Sequence, residues 1–114
     1  MRLAVVGGRD FDDYDLMCDI LNDYKDHGID IIISGGAKGA DSLAERYAVD
    51  NDIDIMVLEA DWESHGRSAG PIRNQEIIEQ STDVVAFWNG KSRGTKHSIG
   101  LAKKKGCPCA VILY

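Results

Sequence analysis

An apolar run, Ile29 to Ile33, leads directly into Ser34-Gly35-Gly36-Ala37-Lys38-Gly39-Ala40-Asp41 and then into a helical pattern at Ala40, Leu43, Ala44, Tyr47 and Ala48. A strand that enters a glycine-rich turn and leaves as a helix commits the chain to an α/β unit. The turn is also chemically suggestive. Glycines let backbone N–H groups converge on an anion, and the helix N-terminus adds partial positive charge. The order is neither G-x-x-x-x-G-K-[ST], which disfavours ordinary P-loop ATP hydrolysis, nor strict G-x-G-x-x-G. A generic phosphate nest remains. Lys38 either neutralises a phosphate or decorates the loop, and Asp41 reads first as a helix-start residue and second as a base.

The rest of the chain repeats the unit. Leu3 to Val6 forms a strand, and Leu16, Met17, Ile20, Leu21 and Tyr24 recur at helical spacing until Gly28. Ile53 to Leu58 is a strand, Glu59 to Gly70 a long loop, and Pro71 stands in the first turn of a helix. Asp83 to Trp88 is a strand, Gly94 to Lys105 a helix, and Cys109 to Leu113 the last strand. The strands are continuously apolar, as in sheets buried on both faces. The expected architecture is a single-domain, three-layer α/β/α sandwich over residues 1–114, with a mostly parallel sheet of about five strands.

Composition narrows the function. The 114 residues are 44% hydrophobic, enough for a core. No apolar run approaches the roughly 18 residues of a membrane span, and the early strand leaves no room for a signal peptide. Cys18, Cys107 and Cys109 lack disulfide or zinc spacing and read as reduced thiols of a cytoplasmic protein, with a redox role for Cys107 the lesser reading. The net charge of −6 argues against general nucleic-acid binding. Acidic residues from Asp10 to Asp30 crowd the first helix. Basic ones from Lys91 to Lys105 crowd the last, as solvated faces, a subunit contact or a ligand mouth.

In such folds ligands bind beyond the C-terminal ends of the strands, where the distinctive loops lie. Gly7 and Gly8 permit close backbone approach, and Arg9 either pairs with a phosphate or is solvated. Asp10, Asp12 and Asp13 are candidate helix caps. Trp62 either stacks on a base or plugs the core edge, while Asp61 or Glu63 could hold a ribose hydroxyl. Gly70 and Pro71 lead to Arg73 and Asn74, expected in the first turn of their helix. Glu76 is a catalytic candidate or a first-turn acid. Trp88 is a second stacking candidate, and Gly94, Thr95 and Lys96 form another anion-friendly turn. His27, His65 and His97 show no ligand spacing, so neither metal nor cofactor is expected.

Four stretches, Val6 to Phe11, Ser34 to Asp41, Ala60-Asp61-Trp62 through Gly70-Pro71-Ile72-Arg73-Asn74, and Ala86 to Thr95, together resemble the small YspA/YpsA-related branch of the SLOG superfamily. The resemblance implies a Rossmann-like domain that binds a nucleotide or a nucleotide-derived, ADP-ribose-like molecule as a sensor or sequestering module, and a homodimer. LOG-like relatives hydrolyse the N-glycosidic bond of nucleoside monophosphates with a Gly-Gly-x-Gly-Thr-x-x-Glu loop. Here Gly94-Thr95 match, Ser92-Arg93 break the preceding glycine pattern, Ser98 replaces the Glu, and Arg73 matches the phosphate-handling Arg. By this resemblance the binding half of such a site is present, and Glu76 or Asp61 would have to replace the lost acid. DprA-like relatives bind single-stranded DNA, a third reading that Lys91, Arg93 and Lys96 keep open.

Overall fold

In the computed structural model, which describes residues 1–114, strand and helix alternate from end to end. Five strands, β1 (Arg2–Gly7), β2 (Ile31–Ser34), β3 (Asp54–Val57), β4 (Asp83–Trp88) and β5 (Cys109–Leu113), form one parallel sheet in the order β3-β2-β1-β4-β5. The helices are α1 (Tyr14–His27), α2 (Ala40–Asp50), α3 (Trp62–His65), α4 (Ala69–Gln80) and α5 (Arg93–Lys105).

Strand alternation makes the layers. Leu3 and Val5 of β1 pack with Met17 and Leu21 of α1 and Ala44, Tyr47 and Ala48 of α2. Ala4 and Val6 face the other side, against Ile77 and Ile78 of α4 and Ala102 of α5. Each fully buried large aliphatic side chain contributes about 1.5–3 kcal/mol. The result is the Rossmann-like three-layer α/β/α arrangement.

Several local expectations need correction. Burial on both faces holds for the three inner strands β1, β2 and β4 only. Ile55 and Val57 on one edge strand and Val111 and Leu113 on the other are exposed, because an edge strand is paired on one side only. Strand β2 begins at Ile31, since the preceding Asp30 N–H is drawn to the carbonyl of Met1 at 2.8 Å. The long loop is largely helical. Asp61 caps α3 by accepting from the Ser64 N–H at 3.1 Å, a bond that also lowers its carboxyl pKa, and a 3-10 turn over Gly66–Ser68 runs into α4. Because α4 starts at Ala69, Arg73 and Asn74 lie in its second turn, and Glu76 is beyond reach of the N-terminal dipole.

Asp13, among the three candidate aspartates, caps α1 through the Leu16 N–H. At the far end of α5, about 18 Å from its start, Lys105 donates to the carbonyls of Ile78, Glu79 and Ser81 and so closes the C-terminus of α4. No helix is long and apolar enough to cross a membrane.

Candidate functional site

The side on which successive strands are added reverses between β1 and β4. Connections from β1 run toward β3, whereas β4 continues to β5. The loops after these two neighbouring strands therefore diverge and leave a crevice at the topological switch point. A cavity of about 690 Å³ occupies it. Val6, Gly7 and Gly8 from the end of β1 form its floor. Gly70, Pro71, Arg73, Asn74 and Ile77 of α4 form one wall, and Asn89, Ser92, Arg93, Gly94, Thr95, His97 and Ser98 form the other. A smaller chamber of about 420 Å³ adjoins it along Gly35–Lys38, Glu59 and Ala60. Arg9, Ala37, Trp62 and Arg73 line both. Both volumes are in the usual range for small-molecule sites.

The Ser34–Asp41 loop is built around a carboxylate of its own. Asp41 is buried in the first turn of α2 and accepts the Ala37 N–H through Oδ2 at 3.1 Å. Ser34 Oγ accepts the Gly36 N–H at 3.3 Å, and the carbonyl of Gly8 accepts the Ala40 N–H at 3.1 Å. Two of the N–H groups expected to face a phosphate, those of Gly36 and Ala40, are thus engaged within the protein. The glycines serve close packing. A Cβ on Gly35 would stand 2.5 Å from Arg73 Nη1 and 2.9 Å from Asp41 Oδ2. Gly39 has φ +76° and would drive a Cβ into the backbone of Gly8 and Arg9. Burial raises the Asp41 carboxyl above its ordinary value, opposed by the Ala37 N–H and by the Arg73 and Arg9 charges.

The turn before α5 is arranged differently. Asn89 Oδ1 accepts the N–H groups of Lys91 at 2.8 Å and Ser92 at 2.9 Å. Ser92 then caps the helix by accepting the Thr95 N–H at 3.3 Å. The first-turn N–H groups of Arg93 and Gly94 have no acceptor within the chain, and both residues line the cavity. Trp88 braces this turn, its indole N–H donating to the Ser92 carbonyl at 3.1 Å.

On α4, Arg73 Nη1 donates to the Gly35 carbonyl at 2.7 Å and Nε donates to Asn74 Oδ1 at 3.1 Å. Buried Asn74 turns its amide nitrogen toward the Gly94 carbonyl at 3.4 Å and His97 Nδ1 at 3.3 Å. Opposite, Asp10 accepts from the Tyr114 hydroxyl, whose ring packs edge-on against Phe11 at 4.9 Å. Burial and that carboxylate push the phenol pKa up to about 12.

The structure thus brings together on one cavity wall or the other Gly7, Gly8, Arg9, Gly35, Gly36, Ala37, Lys38, Asp41, Trp62, Gly70, Pro71, Arg73, Asn74, Gly94 and Thr95. It leaves out Ser34, Gly39, Ala40, Asp61, Glu76, Trp88 and Lys96. Ser34, Gly39 and Ala40 are consumed in shaping the loop. Glu76 and Lys96 point to solvent, Asp61 caps α3, and Trp88 props the α5 turn. Asp10, Glu59, Asn89, Ser92, His97 and Ser98 join the site without having been singled out as ligand-binding residues, and Arg93, named for the single-stranded DNA reading, joins them. For α5 a signal existed. Gly94, His97 and Ser98 recur at i, i+3 and i+4, one face of a helix start.

A family model described as YspA, cpYpsA-related SLOG family matches residues 1–65. The Gene 61 protein of Mycobacterium phage D29 is 35% identical over 116 residues, covering 94% of this chain and 92% of that protein. Among solved structures, DNA processing protein A from Helicobacter pylori, described for its single-stranded DNA binding mode, superposes with a TM-score of 0.77 at 20% identity. The alignment covers 97% of this chain and 64% of that one. DNA processing protein A from Streptococcus pneumoniae gives a TM-score of 0.79 at 17% identity, over 96% of this chain and 49% of that one. This chain spans less than two thirds of either structure, and at such identity the likeness is one of fold.

Proposed function

The chain belongs to the YspA, cpYpsA-related SLOG family, and from that premise we propose that it binds a nucleotide or nucleotide-derived, ADP-ribose-like molecule in the switch-point cavity. The observation that carries this reading is the pairing of two guanidinium groups, Arg9 and Arg73, with the open N–H groups of Arg93 and Gly94 around a cavity of about 690 Å³. In this reading Arg73 and the α5 turn take the phosphate, and Trp62, 53% exposed at the mouth, stacks on the base.

Binding without cleavage is the favoured form, as a sensor or sequestering module. The carboxylates on the main cavity wall are Asp10 and Asp41, and each already has a protein donor, the Tyr114 hydroxyl and the Ala37 N–H. A nucleoside-monophosphate N-glycosidase would have to work through one of these or through Glu59 of the adjoining chamber, because Glu76 and Asp61 lie off the wall. The test is calorimetric titration with AMP, ADP, NAD and ADP-ribose, with chromatography of the recovered ligand. Arg73→Ala should weaken binding by about 1.5–3 kcal/mol, the scale of a charged hydrogen bond. Equal affinity in that variant contradicts the phosphate assignment, and release of free base contradicts the binding-only reading.

A second reading, single-stranded DNA binding, is favoured by the fold shared with DNA processing protein A and by exposed Lys91, Arg93 and Lys96 near the mouth. It is opposed by the net charge of −6. A mobility-shift assay across salt separates the two, since phosphate tracking along a strand fades steeply with ionic strength. The reading extends to one domain over residues 1–114 that pairs with a second copy, checked by light scattering.

A further inference from the structure

His97 was not among the expected binding residues, yet this exposed side chain lines the main cavity, and its Nδ1 ends a chain of hydrogen bonds that runs through Arg73 and Asn74. Asn74 cannot be turned around. Its Oδ1 faces Arg73 Nε–H, which only donates, and its amide nitrogen faces the Gly94 carbonyl, which only accepts. Reversal would set donor against donor and acceptor against acceptor. The second amide hydrogen therefore points at His97 Nδ1, 3.3 Å away, and that nitrogen is the acceptor. In the neutral ring the proton then resides on Nε2, which has no partner in the protein.

We propose that His97 is a binding residue of this cavity, offering an Nε2–H, its tautomer set by Asn74, to a lone-pair acceptor of the ligand: a purine ring nitrogen, a base carbonyl or a phosphoryl oxygen. The assignment rests on the ligand-binding reading above and adds a specificity determinant to it. Arg73 sets the Asn74 amide, Asn74 sets the imidazole tautomer, and the tautomer rewards acceptors over donors at that point on the wall. A neutral imidazole donates a hydrogen bond through Nε2 while keeping the proton. The same chain therefore suits holding a base better than protonating one as it leaves.

The tautomer is read without any ligand, by long-range 1H–15N correlation of the imidazole in the free protein. The expected result is a bare Nδ1 and a protonated Nε2. In Asn74→Asp the carboxylate accepts from Arg73 and has no hydrogen to give His97, so the imidazole proton should move to Nδ1. An Nδ1–H ring in the wild-type protein overturns the proposal, whether or not the variant folds.

The binding half uses AMP, adenosine and ribose 5-phosphate as probes. His97→Ala should weaken AMP by about tenfold, the worth of one hydrogen bond, and His97→Gln, which keeps a donor, should recover most of it. Dependence retained with adenosine places the acceptor on the base, and dependence retained with ribose 5-phosphate places it on the phosphate. If His97→Ala binds AMP as the wild type does while Arg73→Ala is weakened, the donor role is wrong and the ligand-binding reading survives. If the wild-type protein binds none of these probes or ADP-ribose, both fail.

Discussion

Two glycine-bearing helix starts face the same crevice, and they are wired differently. At the start of α2 the N–H groups of Gly36, Ala37 and Ala40 are met by Ser34 Oγ, Asp41 Oδ2 and the Gly8 carbonyl. At the start of α5, Ser92 caps Thr95 and leaves the N–H groups of Arg93 and Gly94 open to the cavity. The first has the sequence of a phosphate nest and the wiring of a scaffold. The second has fewer glycines and keeps its free donors in the first helical turn, whereas at the first those that remain, on Gly35, Lys38 and Gly39, lie in the loop itself. A glycine-rich turn thus guarantees close backbone approach. Whether it binds an anion depends on whether a side chain of the protein has already taken the place.

The contrast is broken most forcefully at Gly39. A Cβ there meets the Gly8 and Arg9 backbone, and φ of +76° adds strain, so Gly39→Ala should cost about 3 kcal/mol in urea unfolding. A cost below about 1 kcal/mol would mean that the α2 start is not a rigid scaffold. Next is Asp41→Ala, which strands the half-buried Ala37 N–H and should cost about 1–2 kcal/mol. Asp41→Asn keeps an acceptor and should cost much less.

The pH dependence follows from the direction of the Asp41 shift. Its folded pKa lies above the ordinary 3.8, so the folded chain holds the proton longer than the unfolded chain does. Stability contributed by this group is therefore fully present below 3.8 and falls as pH rises from there through the folded pKa. Asp41→Asn should remove that fall, as thermal unfolding between pH 4 and 7 would show. An unchanged profile would place the charge elsewhere. Smaller still, Ser92→Ala should cost about 1 kcal/mol as a lost cap, while loosening the α5 turn. Smallest is Gly94→Ala, where a Cβ meets nothing within 4 Å; it should be neutral or stabilising by about 0.5 kcal/mol.

The layered architecture and the end of the sheet that carries the site were legible in the sequence because β1 and β4 are apolar without a break and each loop ends in a helix signal. The short helix α3 was hidden because its only marker is one capping aspartate, Asp61, at the head of a polar segment. Edge exposure was hidden because Ile55 and Leu113 look like any core residue until the strand order is known. The state of the donors was the least legible. That Asp41 turns back onto Ala37, or that Arg73 orders Asn74 and through it His97, depends on side-chain directions that residue spacing does not encode.

The most direct measurement is an amide 1H–15N spectrum of the protein titrated with AMP, with Arg73 Nε–H followed in the same experiment. The largest shifts should fall on Arg93, Gly94 and Arg73, with Gly36, Ala37 and Ala40 nearly still. Shifts concentrated on Gly36 to Ala40, with the α5 turn unmoved, would show that the ligand displaces Asp41 and that the glycine-rich turn is the phosphate site after all.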